Sequence, residues 1–194
     1  MNKARVVKET LPVLLLVVLG GALAGSVLAG MEEMLDLIPG LIIIVPAIID
    51  MRGNISTALG SRLGSAFHLG LLHQGLRSDA GKENIKGSLA LSFFTSLLFP
   101  VFLWLISLAL PFSIGPWQLL TVFMISIFTG VTAALILITI TFLIVAGSIK
   151  FNIDPDNVSG PVLTTAGDVF TLLVMFGYAH LFYHIFANVF GVIG

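Results

Sequence analysis

Charged positions fall in clusters along this chain, and the apolar intervals between them read as helices long enough to cross a membrane. The longest interval, residues 87–149, runs 63 residues without an Asp, Glu, Lys or Arg. As one helix rising about 1.5 Å per residue it would reach roughly 95 Å, against a hydrocarbon core of about 30 Å, so it must fold back. The break is legible at residues 111–117, PFSIGPW, where two prolines and a glycine interrupt the apolar pattern. Spans are therefore expected at residues 87–110 and 117–149, and the same logic places others at 11–29, 37–68 and 161–190. The expected fold is an all-α polytopic membrane protein of five transmembrane helices, a single membrane domain over residues 1–194. No internal repeat, low-complexity segment or soluble domain interrupts it.

Composition agrees: 57% of residues are apolar and 10% charged, where soluble domains carry about 25% charged residues. Cysteine is absent, which excludes disulfide scaffolds, thiolate zinc sites and cysteine nucleophiles. The net charge of -1 leaves no basic surface for nucleic acid. Cations gather at alternate connections. Lys3, Arg5 and Lys8 precede the first span, Arg77, Lys82 and Lys86 lie between the second and third, and Lys150 lies between the fourth and fifth. The first connection carries only Glu32, Glu33 and Asp36. By the positive-inside rule the N-terminus is inside and the C-terminus outside, with Trp104 and Trp117 near the outer interface. The first span, with Ala22, Ala24 and Ser26 behind a leucine-rich run, has features of a cleavable signal peptide; it is read as a retained helix whose Gly21, Gly25 and Ala29 pack against a neighbour.

An ionisable residue inside a membrane costs several kcal/mol by order of magnitude, so each is a candidate for function. In the second span, at 100° per residue, Asp50, Asn54, Thr57, Ser61, Ser65 and His68 stay within about 80° of one another. They form a polar stripe flanked by Gly53, Gly60 and Gly64, while Arg52 and Arg62 point elsewhere. Helix packing by small and polar residues is the competing reading of this stripe. In the fifth span Pro155 and the Gly160-Pro161 pair predict a turn and then a helix start at Pro161. Asp168 is the only Asp, Glu, Lys or Arg beyond it, with Thr164, Thr171 and Met175 on its face. Asp168 and Asp50 are expected about 10 and 12 Å from the inner membrane surface, at one level. Two carboxylates with amide and hydroxyl oxygens suit a small hard cation such as Mg2+, and a two-fold dimer would double them to four. Alternatively Asp168 is a structural acid, kept neutral or paired with Arg52 or Arg62.

Other polar residues compete less well. His180 and His184, spaced i, i+4 with Asn188 on the same face, admit a transition-metal site, but are read as outer-interface histidines about 18 Å from Asp168. His68 and His73 are read as solvated at the inner end. Asp154 and Asp156 would stand at the cytoplasmic mouth, either drawing cations by their potential or, for Asp154, capping a turn.

The segments VPAIIDMRGNISTALGSRL and DPDNVSGPVLTTAGD resemble the two signature segments of the MgtE-type integral membrane domain, most closely its eukaryotic solute-carrier branch and single-domain archaeal relatives. The resemblance covers nearly the whole chain. It implies divalent cation transport, chiefly of Mg2+ with Mn2+ or Co2+ as alternatives, through a pathway lined by the second and fifth helices of two such domains. Carried onto this sequence, it marks Pro46, Gly53, Asn54, Asp154, Pro155, Ser159, Gly160, Pro161, Thr164, Thr165 and Asp168, with Asp168 as the ion-binding acid. Solute-carrier members hold two such domains in one chain, so a single one implies a parallel homodimer, in a prokaryotic, archaeal plasma membrane. The cytoplasmic sensor domains of bacterial members have no room here, and Asp50 and Arg52 stand where the bacterial pattern is Gly-rich. A Na+- or H+-coupled exchanger is the alternative within this class. An intramembrane aspartyl protease, built on Asp50 and Asp168, would require Gly-x-Gly-Asp, and Thr165 occupies the first glycine position. A purely structural membrane subunit is the remaining reading.

Overall fold

The computed structural model describes residues 3–72, 75–109, 114–150 and 155–191, the side chains of residues 3–10, 149 and 155–158 excepted. The described residues form helices α1 (Lys3–Gly30), α2 (Glu32–Leu37), α3 (Leu41–His68), α4 (Asp79–Ala109), α5 (Pro116–Lys150) and α6 (Pro155–Val189), with a 3-10 turn at Gly75–Arg77. Among them, five are long and apolar enough to cross a membrane: Leu11–Gly30, Leu41–His68, Asp79–Ala109, Pro116–Ser148 and Ser159–Val189. The five expected spans are thus present.

Their boundaries follow capping chemistry that hydropathy does not see. The second span starts at Leu41 rather than residue 37, because α2 intervenes and buries Met34 against the bundle. The third begins at Asp79, eight residues before the apolar run, because Ser78 caps it: Ser78 Oγ accepts the Gly81 N–H at 3.1 Å. At α5 the Gln118 side chain reaches back to accept the Gly115 N–H at 2.7 Å. The fifth span starts at Pro155, so Pro161 lies inside α6 and is not its first residue. Pro155 fits the first helical position, where the missing N–H is lost in any case; a second proline, Pro161, less than two turns on is tolerated at the cost of one backbone bond. At its C-terminus α3 is closed by Gly70 at φ +70°, with Leu71 N–H donating to Ala66 O and Gly70 N–H to Phe67 O, the Schellman pattern that needs a left-handed residue.

Helix α6 packs against α1, α3 and α5, and α3 against α4, α5 and α6. The core divides in two. One apolar cluster gathers Ile38, Leu41, Ile48, Leu103, Ile125 and Met175; the other gathers Leu59, Leu63, Leu72, Ile138 and Val145. Between them lies a polar layer containing Arg52, Ser56, Ser88, Ser92, Ser96, Ser126 and Thr129, all buried. Within it α4 and α5 approach closely: a Cβ on Gly130 would overlap Ser96 Oγ and stand 2.8 Å from Ser96 Cβ. Gly130→Ala should therefore cost about 1–3 kcal/mol, the range for overpacking, and lower the thermal unfolding midpoint of the solubilised chain. Gly21, Gly25 and Ala29, expected to pack against a neighbour, are exposed, and nothing lies within 4 Å of a Cβ added at Gly25, so Gly25→Ala should leave the midpoint unchanged or raise it.

Candidate ion-binding face

The polar stripe of α3 sits on the outside of the helix bundle, beside the α3–α6 seam. Pro46, Asp50, Asn54, Ser61 and Ser65 are exposed, and Thr57 is half-buried. Small residues set how closely α6 approaches. A Cβ on Gly53 would lie 3.4 Å from Thr164 Cγ2, one on Gly167 3.6 Å from the Gly53 nitrogen, and one on Gly60 2.8 Å from Leu163 Cδ1. Backbone contact at Gly53 and Gly167 brings Thr164 and Asp168 of α6 to the Asp50 and Asn54 turn of α3. The Asp168 carboxylate lies within electrostatic reach of Asp50. Four expected ligands from two helices are thereby brought together.

Hydrogen bonds leave oxygen acceptors on this face. Asn54 Nδ2 donates to Asp50 Oδ2 at 3.0 Å, which leaves the amide oxygen of Asn54 as an acceptor. Thr164 Oγ1 donates to Gly160 O at 3.0 Å, and its lone pairs remain on the exposed side. Thr57 Oγ1 folds back onto the carbonyl oxygens of Gly53 and Asn54. These are hard oxygen donors of the kind that bind Mg2+ or its hydration shell. Beside them, between α3 and α4, a cleft of about 550 Å³ is walled by Leu91, Leu98, Phe99 and Phe102 and reached by Asp50, Asn54 and Arg62.

Not every marked residue joins this face. Thr165 turns toward α1, where its methyl group occupies the space a Cβ on Gly20 would take, and its hydroxyl donates to Pro161 O at 2.9 Å. Thr171 and Met175, expected on the Asp168 face, are buried in the bundle. Asp154 lies outside the described residues; Asp156 falls in the first turn of α6 with its side chain outside them. Among the described residues the ion pairs are Lys82–Asp79 and Lys86–Glu83, so Asp168 is paired with neither Arg52 nor Arg62. Arg62, expected to point away from the stripe, is exposed and lines the same cleft as Asp50 and Asn54, whereas Arg52 points into the polar layer. His180 and His184 stack at 6.0 Å between ring centroids, and no group of three or more His, Asp or Glu suited to a metal occurs among the described residues.

The interior polar layer was not foreseen. Its signal was present in the sequence as Ser88, Ser92 and Ser96, spaced i, i+4, i+8 on one face of α4 opposite the Arg52 turn.

Comparison with known proteins matches the MgtE family model, described as a divalent cation transporter, to residues 45–178, an interval that holds both Asp50 and Asp168. The chain is 32% identical over 145 residues to solute carrier family 41 member 2 of Xenopus laevis, covering 69% of this chain and 24% of that protein. It is 28% identical over 167 residues to the Gallus gallus protein of the same name, covering 78% of this chain and 28% of that protein. The chain thus spans about a quarter of the length of these curated relatives. Both are vertebrate proteins and lend an archaeal source no support. No solved structure matches.

Proposed function

Since this chain belongs to the MgtE family of divalent cation transporters, we propose that it moves Mg2+ across a membrane through a pathway formed where the α3–α6 seams of two identical protomers meet. The family is one of transporters, not of enzymes, and the protease reading is set aside. One observation carries the proposal: Asp50, Asn54 and Thr164 are exposed, and Asp168 half-buried, on two helices long and apolar enough to cross a membrane. Facing lipid, such a surface would place carboxylates in hydrocarbon. A second copy related by a two-fold axis covers it and sets four carboxylates around a hydrated cation. Mn2+ and Co2+ accept the same oxygen donors. In this reading the domain acts as one unit, with its N-terminus inside, and Asp156 lies at the inner mouth.

The arrangement is testable because the chain has no cysteine of its own. Single cysteines at Asn54, Ala58 or Ser61, all exposed on α3, should crosslink to their own counterparts in membranes, while one at Leu143 on α5, also exposed, should not. A monomer by mass in native-like lipid, without such crosslinks, would discard the dimer. Vesicle flux measured with and without imposed Na+ and H+ gradients distinguishes passive conduction from the coupled exchanger.

A further inference from the structure

Arg52 is 1% exposed and stands roughly 17 Å along α3 from Leu41 and 24 Å from His68, deep in the span. Its guanidinium is always ionised. Nη1 donates to Ser92 Oγ at 2.7 Å, Nη2 to Met51 Sδ at 3.1 Å and to Ser92 O at 3.5 Å, and Nε has no partner. Among the described residues no carboxylate lies within ion-pair distance. The head borders a void of about 10 Å³ with Ser56, Ser88, Leu137 and Ile138 in its walls, room for about one water. Because the residue is buried by its own protomer, a second copy of the chain cannot reach it to supply an anion. A full positive charge is thus held in a low-dielectric interior by neutral dipoles, a costly arrangement unless it does something.

The nearest anions on α3 and α6 are those of the ion-binding face. Asp50 precedes Arg52 by two residues, which turns the two side chains about 200° apart. Asp168 follows Gly167, whose Cβ, if present, would lie 3.9 Å from the Arg52 carbonyl carbon. The cation is on one side of this helix crossing and the two carboxylates on the other. We propose that Arg52 is an electrostatic positioning residue: a fixed internal counter-charge that weakens cation binding by Asp50 and Asp168 enough to permit release. This rests on the reading of those two acids as the ion site. A unit charge on the order of 10 Å away, at an effective dielectric constant of about 20, changes occupancy by about tenfold per unit of ion charge. A divalent ion feels twice the repulsion of a monovalent one, and the effects on affinity are therefore related as a square.

The test is ion binding to the full chain in lipid nanodiscs, with Mg2+ titrated directly and Na+ by competition, alongside vesicle flux. Arg52→Met, which keeps length and loses charge, should tighten Mg2+ about a hundredfold and Na+ about tenfold while lowering maximal Mg2+ flux. Arg52→Lys should remain near wild type. Ser92→Asp, which sets a carboxylate against Nη1 and offsets the charge of the guanidinium as an ion pair, should tighten Mg2+ in the same direction, and decides the matter if Arg52→Met does not fold. Unchanged or weakened Mg2+ affinity, or an equal factor for both ions, would overturn the inference, as would a chloride-dependent Mg2+ affinity that Arg52→Met abolishes, since the partner would then be a bound anion. Asp168→Asn separates the two readings. If it binds Mg2+ as wild type does, the ion site itself is wrong. If it loses binding while the Arg52 and Ser92 variants change nothing, only the counter-charge fails.

Discussion

Asp168→Asn is expected to reduce divalent cation flux at least tenfold while leaving folded yield and unfolding temperature near wild type. Asparagine keeps the shape of the side chain but puts an NH2 donor where the carboxylate has its second oxygen, so a charge and one oxygen acceptor are lost. In the proposed dimer four carboxylates become two, and an ion that must exchange part of its hydration for the site loses half the negative potential that compensates it. Asp50→Asn should act in the same direction but less strongly, because Asp50 is exposed and is already engaged by Asn54 at 3.0 Å. The measurement is Mg2+ entry into vesicles holding a fluorescent Mg2+ indicator, normalised to reconstituted protein. Equal flux from Asp168→Asn and wild type would remove Asp168 from the pathway.

The second large effect is expected without touching any acid. A Cβ on Gly167 would lie 3.6 and 3.7 Å from the nitrogen and Cα of Gly53, ordinary contact, so Gly167→Ala should retain flux and stability. Any atom beyond Cβ meets the backbone of α3, which cannot rotate away as a side chain can. Gly167→Leu must therefore separate α3 from α6 and draw Thr164 and Asp168 away from Asp50 and Asn54. A site whose ligands come from two helices tolerates little such movement, since displacement of about 1 Å can cost on the order of a hundredfold in function. Flux and Mg2+ binding should fall more than tenfold, with a stability loss of about 1–3 kcal/mol from overpacking. Gly177→Leu on the same helix, where nothing lies within 4 Å of the new Cβ, controls for a long side chain on α6. Normal Mg2+ binding by a folded Gly167→Leu protein would show that the ligands do not depend on this crossing.

These two predictions differ in how much of their basis can be read from the residue order. The five spans were determined by the sequence, because hydrocarbon tolerates so few charges that a charge-free run long enough to cross is nearly sufficient evidence. The α3 stripe was determined too: helical periodicity alone puts Asp50, Asn54, Ser61 and Ser65 on one side, and those four are exposed together. Asp168 was conspicuous as the last charged residue in the chain.

What only the tertiary structure decided depends on contacts between helices, for which residue order carries no distance. Hydropathy reports where lipid lies rather than where backbone hydrogen bonding stops, so the start of α4 passed to the Ser78 cap and that of α6 to Pro155. Periodicity assigns a face to Thr164 and Thr165 but not the neighbour across from it; packing gave one to α3 and the other to α1. Arg52 makes the same point most sharply. Its place on the helix, away from the stripe, was legible, but burial against Ser92 depends on where α4 lies, and that position is set by the packing of α4 and α5 around α3 rather than by any pattern within α3 itself.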